Sequence, residues 1–179
     1  MIKETGMNTG RRGSAAVEAV IGAAIIMFVV FPVFSAVVEK YIIANKAQII
    51  RDAVDLTNIA VYNAVEAGNL GKNEIMICNE ELERIYRTIL AKNLNLKADL
   101  SPERDSVADG TVGIKSLAVF TGGFPLACPD GTAITRPAVH SRLTVPVKPS
   151  LYRGIILGML GKQYIELEVH VDSDIPVDN

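Results

Sequence analysis

The chain has 179 residues and carries 18 Lys and Arg against 20 Asp and Glu, so its formal net charge of −2 gives no case for a nucleic-acid surface. It has no Trp and only 6% aromatic residues, which argues against aromatic stacking platforms. Apolar residues make up 49% and recur throughout, which sets disorder aside for most of the chain.

The apolar excess, a mean hydropathy of +0.28, is concentrated in the first third. A membrane segment explains it better than a large soluble core does, and one modest external domain of roughly 110 residues remains. No repeat recurs at a fixed period.

Residues 1–13 form a short basic leader, in which Lys3, Arg11 and Arg12 against Glu4 leave a net charge of +2. Basic residues just before an apolar span hold that side in the cytoplasm, which places the rest of the chain outside. Residues 19–38 carry no formal charge. At about 1.5 Å per residue that run spans about 30 Å, the thickness of a bilayer's hydrocarbon core.

Three devices share this outline. A secretory signal peptide expects an apolar stretch of about 7–15 residues and a small-x-small cut site after it. Val33–Phe34–Ser35 would serve, but apolar, helix-competent sequence continues beyond it. A signal anchor explains the span and is indifferent to what precedes it. A class III prepilin leader demands more: basic residues (Arg11, Arg12), a Gly before the cut (Gly13), a small residue after it (Ser14) and a Glu as fifth residue of the shortened chain (Glu18). All of these are present.

A carboxylate at the edge of an apolar span is costly unless paired. Cleavage after Gly13 would create an α-ammonium at Ser14, one helical turn from Glu18. In a bundle of staggered copies, Glu18 of one chain can neutralise the amine of its neighbour. The alternative is that Glu18 sits in a first helical turn, favoured by the dipole and wetted by headgroups.

The stretch RRGSAAVEAVIGAAIIMFVVFPVF, residues 11–34, resembles the start of TadE-like proteins, the minor pilins or pseudopilins of the tight-adherence (Tad, type IVc) pilus. It departs from them at Ala19, where members often carry an aromatic. The resemblance implies cleavage by a prepilin peptidase after Gly13 and a role in building a pilus rather than in catalysis. It also implies other pilins, the assembly platform and membrane lipid as partners.

Within the span, Ala15, Ala19, Gly22 and Ala23 put small side chains on one helical face, as in close helix packing, although Ala and Gly are also simply common in membrane helices. Pro32 lacks the N–H that would bond the Phe28 carbonyl, which predicts a kink or a loosened turn.

Beyond residues 14–38 the helical pattern continues over 39–67. Ile42, Ile49, Leu56 and Ala60 form one stripe, and Ile43, Ala47, Ile50, Val54, Val61 and Val65 form an adjacent one, with Lys40, Lys46, Arg51, Asp52 and Asp55 on much of the rest. Ala67–Gly68–Asn69 is the stop signal. From Ser14 this helix would run roughly 80 Å.

Residues 68–179 form the external domain. Asn79–Glu80–Glu81 reads as a cap and acidic first turn, and Leu82, Ile85, Tyr86, Ile89 and Leu90 define a second helix to about Asn93. A loop over 94–111 leads to a strand through Ile114–Phe120 with both faces partly covered. A turn-rich connection containing Pro129–Asp130–Gly131 follows, then a strand over Val139–Val147 in which Pro146 marks an edge or end.

In the last strand Ile165, Leu167, Val169 and Val171 oppose Tyr164, Glu166, Glu168 and His170. Between these two strands, Leu151–Leu160 is too short to span a bilayer and reads as a buried turn of helix rather than an apolar contact surface. This strand, apolar segment, strand ending also resembles the C-terminal part of TadE-like proteins. The expected fold is therefore α+β and pilin-like: a long N-terminal spine helix, a second helix and a small antiparallel sheet.

Cys78 and Cys128, the two cysteines, both fall on the external side. They suggest a disulfide closing a loop of about 50 residues, worth roughly 4 kcal/mol in the chain-entropy model, with two free buried thiols as the alternative. Catalytic signals are poor, and no cofactor or metal site is expected. His140 and His170 fall on polar strand faces, where a solvated role is usual. Gly158–Lys162 lacks the spacing of a phosphate loop, and Asp172, Asp174 and Asp178 lack the calcium-loop pattern.

The expectation is a non-enzymatic, TadE-like subunit of the cytoplasmic membrane, single-pass with its N-terminus inside, that passes to a pilus. A type II secretion-like pseudopilin and an unprocessed single-pass anchor with an external binding domain are the alternatives.

Overall fold

The computed structural model describes residues 10–69, 76–77 and 80–175. The chain divides into two units, one up to Ile42 and one from Ile43 onward.

The first unit is helical. Helix α1 spans Gly10–Ile25, a π-helical turn spans Ile26–Val30, and helix α2 begins at Phe31 and runs to Asn69, crossing the boundary between the units. The π turn stands immediately before Pro32 and has a local cause. A proline at position 32 cannot donate to the Phe28 carbonyl, and its ring crowds that oxygen. The Phe31 N–H bonds instead to the Ile26 oxygen, five residues back, which widens the turn. Val20, Ile21, Ile25, Met27, Phe28, Val30, Phe31 and Phe34 are all exposed. Among the described residues, Ala15–Ala64 is the one helix long and apolar enough to cross a membrane, and its most apolar stretch has no cover within the chain.

The second unit contains the rest of α2, strand β1 (Met76–Ile77), helix α3 (Glu80–Asn93), strands β2 (Gly113–Phe120), β3 (Leu126–Ala127), β4 (Ala133–Ile134) and β5 (Ala138–Val147), helix α4 (Arg153–Leu160) and strand β6 (Ile165–Asp174). Four strands form an antiparallel sheet in the order β1-β2-β5-β6, and β3 and β4 form a separate small hairpin. The fold is α+β, as expected; the α3 boundaries follow its apolar periodicity closely, and β6 runs three residues past its last apolar position, Val171, to Asp174, where pairing with β5 continues.

Strand alternation divides the sheet into two faces. One face presents Leu117, Val119, Val139, Leu143, Val145, Val147 and Val169 to the main core, where Ile50, Val54 and Val61 of α2 and Leu82, Tyr86 and Leu90 of α3 meet them. The other face carries a smaller cluster of Phe120, Cys128, Ile134 and Ala138 beneath the β3–β4 hairpin.

Pro146 sits one residue before the end of β5 and beyond Gly113↔Thr144, where pairing with β2 begins, so its missing N–H breaks no β2 ladder bond. A register shift between Ile114 and Ser116 sets the inward face of β2, and Lys115 is exposed there.

Of the two apolar stripes read on α2, the core takes the second. Ile50, Val54 and Val61 are buried, together with Ala53, Thr57, Asn58 and Tyr62, whereas Ile49 (47%) and Leu56 (62%) of the first stripe stay exposed. A sheet and one helix cover about one side of a helix, not a face two stripes wide.

Buried polar groups fasten the contact. Asn58 Nδ2 donates to the Val139 oxygen (3.3 Å), the Val171 oxygen (3.4 Å) and Ser173 Oγ (2.9 Å), and Ser173 Oγ donates to Asp55 Oδ1. Asn93 Nδ2 donates to Thr57 Oγ1 (2.9 Å), tying the end of α3 to α2.

The segment Leu151–Leu160 corrects an expectation. Helix α4 has no buried residue, Ile155 and Leu160 are exposed, and Met159 is 85% exposed. The β5–β6 hairpin closes at Val147↔Ile165, so residues 148–164 extend past the end of the sheet, and of these Pro149 is buried whereas α4 is not.

Candidate functional site

The predicted processing site lies in α1. Arg11, Arg12, Gly13 and Ser14 are part of its helical backbone, and Glu18, one turn after Ser14, is exposed on the same helix. Ala15, Ala19 and Ala23 are exposed as well, and a Cβ added at Gly22 would meet no neighbour within 4 Å. Pro32 is the second residue of α2. Of the two cysteines, Cys128 is a buried free thiol, and Cys78 lies outside the described residues.

A second constellation lies in the other unit, on the face of the sheet away from α2 and α3. It corrects the placement of His140 and leaves His170 on an exposed strand position, as expected. His140 has no exposed surface, although it sits on what reads as the polar side of β5. Register explains this. His140 pairs directly with Asp172 of β6, Arg142 pairs with His170, and Ala118 of β2 pairs with His140. Strand alternation then turns Ser116, His140, His170 and Asp172 to one side of three adjacent strands.

The hairpin supplies the cover. In Cys128–Pro129–Asp130–Gly131–Thr132 the Gly131 N–H donates to the Cys128 oxygen (2.8 Å) and the Cys128 N–H to the Thr132 oxygen (2.9 Å). Proline presets the second position of this turn, and Gly131 takes the left-handed conformation (φ +86°) that closes it. The turn holds Cys128 over the sheet at the exit from β3.

The side chains form one network. His140 Nδ1 lies 2.7 Å from Asp172 Oδ1, and His140 Nε2 lies 2.9 Å from Ser116 Oγ. His170 Nε2 lies 3.1 Å from the other Asp172 oxygen and 3.6 Å from Asp130 Oδ2. The two imidazole centroids are 4.9 Å apart. Arg142 bonds Asp130 Oδ1 (3.0 Å) and Glu168 Oε2 (2.9 Å), and these acids raise its guanidinium pKa above its ordinary value. Beside the network an open groove is lined by Lys115, Ser116, Pro129, Asp130, Arg142 and Glu168.

Ser116, His140 and Asp172 alone have the hydroxyl–imidazole–carboxylate order of a hydrolytic relay. What sets the cluster apart is the arrival of a thiol and a second imidazole at the same place. Donor atoms of Cys128, His140, His170 and Asp172 all lie within 4.8 Å of one another. Sequence reading could not assemble this group, because its members come from a hairpin turn and from cross-strand neighbours. The one legible fragment was His170–Val171–Asp172, which any strand places on a common face.

Set against protein-family models, curated proteins and solved structures, the chain finds no match in any of the three comparisons.

Proposed function

We propose that this chain is a single-pass, pilin-like subunit, processed after Gly13, whose N-terminal helix packs against copies of similar helices in a pilus of the Tad type. The observation that supports the reading most is the helix from Ala15 onward. Over residues 19–38 it carries no charge, its most apolar stretch is uncovered among the described residues, and it is joined directly to an amphipathic stretch that carries a small α+β unit.

A helix of this kind needs an outside environment, first lipid and then its neighbours in a fibre. The peptidase cut, the assembly platform and the Ser14 amine–Glu18 pair belong to the same proposal, which also rests on the resemblance of residues 11–34 to TadE-like proteins. The exposed apolar helix α4 adds a second surface suited to lipid or to a neighbouring subunit.

In mechanistic terms, apolar packing supplies adhesion between subunits, and Glu18 against a neighbour's Ser14 amine sets the stagger. The test is Glu18→Ala. The variant should be shortened normally yet enter fibres poorly, and normal pilus number and length would reject the register role.

A further inference from the structure

We propose that Cys128, His140, His170 and Asp172 bind one divalent transition-metal ion, zinc by preference, which pins the β3–β4 hairpin to strands β5 and β6. Four side chains of metal-ligating type, drawn from the turn after β3 and from strands β5 and β6, converge within 4.8 Å. In a tetrahedral zinc site the donor atoms stand about 3.5 Å apart, so closing this cluster takes shifts of about 1 Å, within the reach of side-chain rotation.

The donor set selects the metal. One thiolate, two imidazoles and one carboxylate suit zinc and its neighbours rather than magnesium or calcium, which take oxygen ligands. The charges also match. Thiolate and carboxylate together neutralise a dication, so the filled site would add no net charge beneath the hairpin.

The surroundings are those of a metal centre. His140 is fully buried, and Ser116 stands at its Nε2. With Nδ1 on the metal, the ring proton moves to Nε2 and is donated to Ser116 Oγ, the outer hydrogen bond that orients a metal-bound histidine. Asp130 stands beside His170 and is held by Arg142. His170 is 35% exposed, which gives the ion an entry path.

On binding, the Cys128 S–H bond gives its proton to solvent and a sulfur–metal bond forms. Four protein ligands fill a tetrahedral shell, which makes the role structural. The hairpin has that need, because its strands are two residues each and a ribbon that short is marginal alone.

The test uses the full chain in detergent micelles, stripped with chelator and titrated with zinc against a chromophoric competitor, and separately with cobalt(II). We expect one zinc per chain and a cobalt complex with a near-ultraviolet thiolate charge-transfer band. Cys128→Ser should remove that band. His170→Ala, which alters a partly exposed residue, should weaken zinc binding more than ~100-fold with unchanged circular dichroism. Ser116→Ala should weaken it about 10-fold at the same stoichiometry, as expected of a positioning residue.

Three results would overturn the proposal: zinc binding no tighter than in a Cys128→Ser/His170→Ala chain, a cobalt spectrum without the thiolate band, or isolation of the native protein with Cys128 in a disulfide to Cys78.

Discussion

Helix α2 meets two environments along its length. Around Phe31–Val37 its large apolar side chains are exposed, and the same holds for α1 and the π turn before it. From Ile50 to Tyr62 the same helix buries one stripe against the sheet and α3. The difference lies in arrangement rather than in the amount of apolar surface. The early part is apolar on every side and carries no charge over residues 19–38. The later part alternates Ile50, Val54 and Val61 with Arg51, Asp52 and Asp55, so only one side can leave water at little cost. The same run of helix therefore leaves an all-round apolar surface uncovered at one end and packs a core at the other.

Mutations can break this contrast. The largest effect on the folded unit should come from Leu143→Ala, which empties a fully buried position in the centre of β5. A loss of about 3 kcal/mol is expected in denaturant unfolding of the full chain in detergent. The same truncation at Phe28, exposed in the first unit, should leave that transition unchanged.

Next is Asn58→Ala, which removes the donor to Val139, Val171 and Ser173 and leaves two strand carbonyls without it. It should cost about 2 kcal/mol in the same assay. Smallest is Leu56→Ser. Leu56 belongs to the exposed stripe, so stability should move by less than about 0.5 kcal/mol. A loss as large as that of Leu143→Ala would mean that this stripe is covered.

How much of this could be read from the sequence depended on whether local pattern or cross-strand register set the outcome. Helix α3 was legible because its acidic first turn and the spacing of Leu82, Tyr86 and Leu90 are local facts. Strand β6 was legible because its alternation is regular. Choosing between the Ile49–Leu56 stripe and the Ile50–Val54 stripe was not possible, since an apolar face two stripes wide does not say which side the sheet takes.

The exposure of α4 was hidden for a related reason. Its composition is that of a core segment, and only the closure of the hairpin at Val147↔Ile165 puts it past the end of the sheet. The Cys128, His140, His170 and Asp172 cluster needed the register of three strands and the turn at Pro129–Gly131, and no single stretch of chain holds that information.

Whether a peptidase cuts after Gly13 can be read from the mass and N-terminal sequence of the protein taken from the cell envelope. The account predicts a chain that begins at Ser14, and one that keeps Met1 when Gly13 is replaced by Leu. A native chain that still begins at Met1, or one that begins beyond Val38, would contradict it.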